Sequence, residues 1–339
     1  MELVEAASPV FGRHGTFSPR YGWLKTAYDQ VSANPLAFSH DDAPTKMGVG
    51  KNMVDSIKFW GEATKIITRA NSTKNKSIYP TLWGETFLAD DGLDPYLEDP
   101  GTLWILHWLL SAPTSLAPVW WLTFNTFPAV EFTQEQLETY IVNQIGQIRE
   151  WEKAKDGSLA PFKQKSEKTV IKDVAQLLHM YGVEQRGNAP LEDVFNSPFR
   201  QLQIIQKSEF SGIPRFVTGR KPGLTPQIIA FIVFDYLSRV KNTSVSNIAM
   251  HVLAGRAGGP GNTLKLSRDD LTDSLMQVSS EKTFQVQDSA SGIQQLYWKG
   301  DPETNARNLL EDYYNKKLSE DFVPGFAADL AVNDHERAA

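Results

Sequence analysis

The chain has 339 residues, of which 41% are hydrophobic and 22% charged, and it contains no cysteine. This composition is typical of a folded globular protein, and the length favours two or three domains. Without cysteine there is no disulfide framework, thiol nucleophile or thiolate metal site, so a bound metal would need oxygen or imidazole ligands. The formal net charge of −6 gives no overall attraction for nucleic acid.

The N-terminal sequence MELVEAASPVFGRHG carries acids where a signal peptide carries bases, so we expect a cytoplasmic protein. The longest apolar stretch runs from Leu103 to Phe127 and is interrupted by prolines and polar residues. A membrane-spanning helix needs about 20 consecutive, mainly apolar residues. We therefore predict a buried pair of helices in this stretch and no membrane association.

Two helices are predicted near the N-terminus. The first begins at Arg20, has apolar residues at helical spacing, and ends before Pro35. Ser39 and Asp42 resemble a capping box, which predicts a short second helix over DDAPTKM that ends at Gly48.

A third helix is predicted over KNMVDSIKFWGEATKII, after a Gly-Val-Gly turn. The polar residues from Asn71 to Ser77 follow, and the alternating pattern of IYPTLWGETFLA then predicts a hairpin with Gly84-Glu85 at its tip or in a bulge. Three helices and a hairpin in this order are typical of a winged helix-turn-helix, whose third helix normally enters the major groove of DNA. We therefore predict that residues 1–128 form a winged-helix DNA-binding domain.

The predicted third helix lies in a basic segment of an acidic protein. Lysine suits guanine and phosphate, asparagine suits adenine, and the wing lysines would meet phosphate or the minor groove. The alternative is a core helix with a solvated face of lysine and glutamate. The predicted DNA-binding residues are Lys46, Lys51, Asn52, Asp55, Lys58, Lys74 and Lys76.

The rest of the chain predicts a helical connector over residues 129–221 and a second winged-helix-like domain over 222–315. The connector contains two helices, over Thr133 to Lys155 and Lys165 to Tyr181. A flexible tail is predicted over 316–339. The predicted fold class is therefore mainly α with small β-hairpins.

The second domain is predicted from the order of its elements. A helix begins at Thr225-Pro226, and a short helix over SVSNIAMHVL, the glycine-rich turn GRAGGPGN and a helix capped by Ser267 follow. A hairpin around Ser291-Gly292 completes the pattern. The helix after Ser267 is acidic, so it suits a protein partner better than it suits phosphate.

The segment DDGLDPYLEDP holds the densest group of acids, with His107 one or two helical turns beyond it. Carboxylates at such spacing can hold Mg²⁺ or Mn²⁺ beside a phosphodiester. The alternative is a polar loop in which Asp-Pro pairs favour turns and acids cap helices. The predicted metal ligands are Asp90, Asp91, Asp94, Glu98 and Asp99.

The segment GRHGTFSPRYGWLK concentrates polar residues between glycines. His14 and Arg20 could serve there as a base and a phosphate clamp, or they could form hydrogen bonds within a domain core. With Asp94 and Glu98 they are the candidate catalytic residues. The sequence contains no Ser-His-Asp order, HExxH or GxGxxG motif, so it gives no support for common hydrolases, zincins or Rossmann enzymes.

Three blocks, GRHGTFSPRYGWLKTAYDQV, MGVGKNMVDSIKFWGEATKI and DDGLDPYLEDPGTLWILHWLL, resemble a bacterial family of proteins with an uncharacterised domain, encoded beside PAPS-reductase-like genes. That family includes the SspB subunit of the Ssp DNA phosphorothioation and defence system. EDVFNSPFRQL, RFVTGRKPGL and SGIQQLYW are also similar, so the resemblance covers most of the chain. One departure from the family pattern concerns the two residues that flank His14. They are Arg13 and Gly15, and an acidic residue is expected at the second of these positions.

The resemblance implies metal-dependent nicking of one DNA strand before sulfur insertion, with a cysteine desulfurase, an ATPase and an ATP-pyrophosphatase-like subunit as partners. We therefore expect double-stranded DNA binding and nicking with Mg²⁺ or Mn²⁺ as cofactor. The alternatives are a non-enzymatic adaptor that recruits the sulfur-transfer complex to DNA, and a winged-helix transcriptional regulator that binds a palindrome as a homodimer.

Overall fold

The computed structural model describes residues 1–70, 76–153, 159–163, 166–183, 197–240, 245–330 and 332. They form a mixed α/β fold that is about 50% helical, with strands confined to small antiparallel sheets. The expected combination of helices with small hairpins is therefore confirmed, whereas the winged-helix arrangement of the two domains stays a prediction. The described helices are α1 Leu3–Ala6, α2 Trp23–Ala33, α3 Ala43–Met47, α4 Lys51–Ala63, α5 Leu82–Leu88, α6 Pro100–Ser111, α7 Pro118–Asn125, α8 Gln134–Gln147, α9 Glu167–Met180, α10 Pro226–Arg239, α11 Met250–Gly255, α12 Pro260–Leu264, α13 Arg268–Val278 and α14 Pro302–Tyr314.

Most of the described strands pair with the next strand in the chain, and the exception is β7, which pairs with β9. Three two-stranded sheets pair β1 with β2, β3 with β4 and β5 with β6, and a three-stranded sheet has the order β7-β9-β8. All of these pairs are antiparallel. The strands are β1 Ile67–Arg69, β2 Ile78–Pro80, β3 Glu150–Lys153, β4 Leu159–Pro161, β5 Ile205–Lys207, β6 Pro214–Phe216, β7 Asn247–Ala249, β8 Phe284–Asp288 and β9 Gln294–Trp298.

The first three predicted helices correspond to α2, α3 and α4. Gly48 ends α3 in the left-handed region at φ +65°, which glycine adopts without steric penalty. The predicted capping box at Ser39 is wrong, because Asp42 is the residue that precedes α3 and it makes no capping bond. Its carboxylate lies 3.0 Å from the Lys46 ammonium instead.

The hairpin predicted within IYPTLWGETFLA is wrong, because β2 leads directly into α5. The Thr81 hydroxyl caps this helix by accepting a hydrogen bond from the Gly84 N–H at 3.0 Å. A side-chain carbon on Gly84 would lie 2.2 Å from the Ile66 carbonyl oxygen, so this glycine permits close packing and not a turn. The hairpin lies one element earlier, where β2 pairs with β1.

The apolar stretch from Leu103 to Phe127 falls in α6 and α7, as predicted. Every residue from Gly101 to Ser111, and every residue of α7, is buried. No helix among the described residues combines the length and the apolar character that crossing a membrane requires. The two helices instead lie in a hydrophobic core that includes residues from Leu3 to Ala328.

The connector helices are α8 and α9. Thr133 and Gln136 form a capping box at the start of α8, with hydrogen bonds of 3.2 and 2.8 Å. The helix ends at Gln147 and not near Lys155, since strand β3 begins at Glu150. The proposed domain boundaries at 128, 221 and 315 stay predictions.

The C-terminal part follows the predicted order with two corrections. SVSNIAMHVL supplies strand β7 before helix α11, and the glycine-rich turn contains helix α12. Ser267 caps α13 in a capping box with Asp270, and β8 and β9 form the predicted hairpin around Ser291-Gly292. The predicted flexible tail is wrong for 316–330, where Phe322 and Ala328 are buried.

A buried charge network ties this C-terminal segment to the core. The Arg239 guanidinium, with 1% of its side chain exposed, lies 2.7 Å from Asp235 and 2.9 Å from Asp329. The buried Lys65 ammonium lies 3.5 Å from Asp329. Asp235 also accepts hydrogen bonds from the Trp108 indole and the Gly325 N–H. Two cations thus face two carboxylates inside the protein.

We expect Asp235→Asn to lower the free energy of unfolding by about 3 kcal/mol or more, because it leaves two buried cations with one carboxylate. Chemical denaturation followed by tryptophan fluorescence measures this change. The matched control is Asp273→Asn on the exposed face of α13, which we expect to be nearly neutral. Equal stability of the two variants would contradict the role of the network.

Candidate nucleic-acid interface and acidic loop

Helix α4 presents a polar face to solvent at its N-terminal half. Lys51, Asn52 and Asp55 are exposed, while Ile57 and Trp60 are buried. The glycine turn before α4 leaves its first backbone N–H groups without partners inside the helix, which is the usual situation at a helix start. The predicted recognition residues therefore lie at an accessible helix end.

Lys58 lies one turn further along α4 and is half-buried. Burial lowers the pKa of its ammonium, Glu62 and Asp55 oppose that shift, and Arg69 and Arg13 add to it. The Arg13 guanidinium therefore lies close enough to Lys58 to lower its pKa, although Arg13 and Lys58 are far apart in sequence.

The other predicted DNA-binding residues are in different surroundings. Lys46 is exposed but paired with Asp42, Lys76 is exposed, and Lys74 lies outside the described residues. Two further bases of the same segment are already engaged, since Lys65 is buried and Arg69 makes a two-bond ion pair with Glu62 at 2.7 and 2.9 Å. The basic segment is thus only partly available to a ligand.

His14 lies in the core with 1% exposure. Its Nδ1 accepts the Thr16 N–H at 3.1 Å, so the ring proton is on Nε2, which donates to Asp173 at 2.8 Å. The ring stacks on Trp60 with centroids 6.1 Å apart. Both nitrogens are occupied, which is the hydrogen-bonded core arrangement that the sequence left open as the alternative to a catalytic base.

Arg20 is half-buried, and its guanidinium lies 5.5 Å from the centre of the Trp23 ring. This contact is a cation–π interaction at the start of α2. The structure therefore places the predicted phosphate clamp beside the first aromatic side chain of the helix that follows it.

Two residues of the acidic loop are held by the backbone. Asp94 is buried, and its two carboxylate oxygens accept the N–H groups of Glu98 and Asp99 at 2.8 and 3.0 Å. Asp99 caps α6 by accepting the Gly101 N–H at 2.7 Å, and it also accepts the Tyr313 hydroxyl at 2.8 Å. These hydrogen bonds hold the loop in a fixed conformation at the start of α6.

The remaining acids of this loop are on the surface. Asp91 and Glu98 are exposed, and the exposed Asp90 lies 2.9 Å from the Lys25 ammonium. Across the described ranges, no group of three or more histidine, aspartate or glutamate side chains is arranged to hold a metal ion. The carboxylates therefore do not form a preorganised all-protein magnesium site.

His107 belongs to a different part of the molecule. Its Nδ1 accepts the Tyr181 hydroxyl at 2.7 Å, and its Nε2 donates to the Thr263 carbonyl at 3.0 Å. Burial lowers the pKa of the imidazole to about 4, so the ring is neutral at pH 7. The structure thus separates His107 from the acids that precede it in sequence.

Two inward-facing lysines near His107 were not found by sequence reasoning. The Lys265 ammonium donates to the Phe124 carbonyl at 2.7 Å and lies 4.1 Å from the centre of the Phe216 ring. The Lys221 ammonium donates to the Gly219 carbonyl at 2.5 Å. Burial lowers the pKa of Lys265 to about 7 and that of Lys221 to about 8. No local pattern distinguishes them from surface lysines.

These lysines give stability a defined pH dependence. In the unfolded chain Lys265 keeps its proton up to about pH 10.5, whereas in the folded protein it loses the proton above about pH 7. Unfolding between these values takes up a proton, so the free energy of unfolding rises with pH. We expect Lys265→Met to reduce that rise between pH 7.5 and 9.5.

Denaturant titrations at several pH values measure this slope. Lys282→Met, which removes an exposed lysine, is the control and should keep the wild-type slope. An unchanged slope in Lys265→Met would show that the ammonium stays protonated in the folded protein.

The protein is thus a mixed α/β protein in which the polar start of α4 is exposed and the acidic loop caps α6. A family model described as "Protein of unknown function (DUF4007)" matches residues 11–314. The chain therefore belongs to the DUF4007 family. No curated protein matches it.

Two solved structures are similar over nearly the whole chain. The structure titled "Magnesium ion-bound SspB crystal structure" is 33% identical in sequence and has a TM-score of 0.82. The match covers 93% of this chain and 90% of the SspB chain. "SspB crystal structure" is 33% identical, with 92% and 90% coverage and a TM-score of 0.80. The resemblance to the family that contains SspB, inferred from sequence blocks, is confirmed.

Proposed function

We propose that this protein is the SspB-like component of a DNA phosphorothioation system and that it binds duplex DNA through α4. The observation that carries the proposal is the exposed start of α4, where Lys51 and Asn52 face solvent on a helix whose opposite side is buried. Lysine can reach guanine or phosphate, and asparagine can form two hydrogen bonds to adenine. The partners in this proposal are a cysteine desulfurase, an ATPase and an ATP-pyrophosphatase-like subunit.

The surroundings of α4 support this proposal. Helix α2 packs against α4, α3 precedes it across a glycine turn, and the β1–β2 hairpin follows it. This is the element order of a winged helix, in which the helix after the turn reads the major groove. The part from α10 to β9 also combines helices with a three-stranded sheet, in which β7 precedes α11 and the β8–β9 hairpin follows α13. Its acidic α13 suits a protein partner in this proposal.

We expect Lys51→Ala to weaken duplex binding for all sequences and to reduce the slope of log K against log salt by about one unit, as loss of one phosphate contact does. Asn52→Ala is expected to weaken binding to the preferred sequence more than binding to others. Fluorescence anisotropy with a duplex series at several salt concentrations measures both effects. Lys282→Ala is the matched control, and wild-type affinity and slope in Lys51→Ala would contradict this interface.

Strand nicking with Mg²⁺ or Mn²⁺ is the second candidate activity, favoured by the magnesium ion in one similar solved structure. Mg²⁺ is commonly bound by one or two carboxylates together with substrate phosphates. Asp91 and Glu98 are exposed and suit that kind of shared site, whereas the Asp94 oxygens already accept backbone bonds. A metal bound there would polarise the phosphodiester and activate water.

Supercoiled plasmid incubated with the protein and Mg²⁺ or Mn²⁺ tests this activity, and open circles are the expected product. We expect Asp91→Asn combined with Glu98→Gln to reduce nicking at least tenfold while melting temperature and DNA binding stay unchanged. Asp273→Asn is the control for loss of an exposed acid. Nicking at the wild-type rate in the double variant would remove these carboxylates from the mechanism.

The two alternative functions give different results in the same assays. A non-enzymatic adaptor binds duplex DNA and leaves the plasmid supercoiled at every metal concentration. A transcriptional regulator protects two half-sites about one helical turn apart, as a dimer on a palindrome does.

A further inference from the structure

The loop of residues 12–17 lies between α4 and α9. On one side, the Ser56 hydroxyl donates to the His14 carbonyl at 3.0 Å, and the Trp60 indole donates to the Phe17 carbonyl at 2.9 Å. On the other side, His14 Nε2 donates to Asp173 of α9 at 2.8 Å. The loop therefore links two helices that are more than 100 positions apart in sequence.

Helix α9 brings exposed lysines to the edge of this loop. Thr169 lies against Gly12, and Asp173 accepts the Gly12 N–H at 3.1 Å. Lys168 and Lys172 are exposed and immediately precede these two contact residues. Because residues four apart lie on the same side of a helix, both lysines flank the contact with the loop.

The loop contributes a third cation, since Arg13 is exposed between Gly12 and the buried His14. The carbonyl of the next residue, His14, accepts the Ser56 hydroxyl of α4, so Arg13 lies on the part of the loop that contacts α4. The exposed acids in the same elements are Asp55 on α4 and Glu167 at the start of α9. Cations therefore outnumber acids along the line from α4 across the loop to α9.

We propose that Arg13, Lys168 and Lys172 form a second phosphate-binding strip that holds the DNA backbone beside the groove occupied by α4. This proposal rests on the proposed duplex binding and extends it to a second surface. Contacts to phosphate fix the orientation of a protein on the duplex, whereas contacts to bases carry sequence preference. The strip therefore adds affinity and orientation without changing which sequence α4 prefers.

The spacing of the two lysines fits a nucleic-acid backbone. Residues four apart on a helix rise by about 6 Å. Phosphates on one strand of duplex DNA recur about every 3.4 Å along its axis. The two ammonium groups, each on a long flexible side chain, can thus contact two phosphates of one strand from the same side of α9.

The test compares Lys168→Glu combined with Lys172→Glu against Arg268→Glu combined with Lys282→Glu, which makes the same charge change on other elements. Both pairs are on the surface, so equal melting temperatures check folding. Anisotropy titrations with a preferred and an unrelated duplex give affinity, the salt slope and the ratio between sequences. Arg13→Ala is measured in the same way.

We expect the Lys168 and Lys172 variant to reduce the salt slope by about two units, and Arg13→Ala by about one, with the preference between sequences unchanged. The control pair should keep the wild-type slope. If wild-type protein binds DNA and Lys51→Ala weakens binding, but the strip variants match the control, the strip is wrong while the interface at α4 stands. If the wild-type protein binds no duplex, the strip and the proposed function both fail.

Discussion

The buried guanidinium of Arg239 is the constraint on which the arrangement of the whole chain depends. A charge in a poorly hydrated interior is strongly unfavourable unless carboxylates neutralise it, and here one lies on its own helix and the other is Asp329, 90 positions later. Asp329 also accepts the Trp83 indole of α5, and Asp235 accepts the Trp108 indole of α6. The C-terminal segment must therefore stay docked if the N-terminal helices and α10 are to keep their places.

The bond between His14 and Asp173 has a similar role at the proposed DNA surface. It joins positions 159 residues apart, inside a ring of aromatic side chains where water does not compete. The His14 ring donates from Nε2 to Asp173 of α9 and accepts the Thr16 N–H of its own loop at Nδ1, while the His14 carbonyl accepts the Ser56 hydroxyl of α4. The two elements that carry exposed cations, α4 and α9, thereby become neighbours of one loop. A catalytic base would need the opposite environment, with one nitrogen open to substrate.

Sequence patterns predicted the features that depend on neighbouring residues. The apolar runs of α6 and α7, the amphipathic α4 and the caps at Thr133 and Ser267 are local, and all are found. The prediction of a hairpin at Gly84 was wrong because this glycine allows close packing against the Ile66 carbonyl and does not form a turn.

The candidate site was predicted less completely for the same reason. Exposure of Lys51 and Asn52 followed from helical periodicity. Burial of Lys65 and the inward bond from Lys265 to the Phe124 carbonyl depend on elements far away in sequence. A polar loop whose acids accept backbone N–H groups was one of two alternatives for the acidic segment, and only the folded chain shows that Asp94 binds within the loop and Asp99 caps α6.

Charge distribution decides which surface a duplex can approach. The chain carries a net charge of −6, so the protein as a whole does not attract phosphate. Lys51, Arg13 and the lysines of α9 are exposed on elements joined by one loop, whereas Arg69 is neutralised by Glu62. A local basic surface on an acidic protein favours one orientation on DNA and weakens binding elsewhere. Any strand cleavage would then require the exposed acids to reach the same duplex, because a metal shared with phosphate is held only when DNA is already in place.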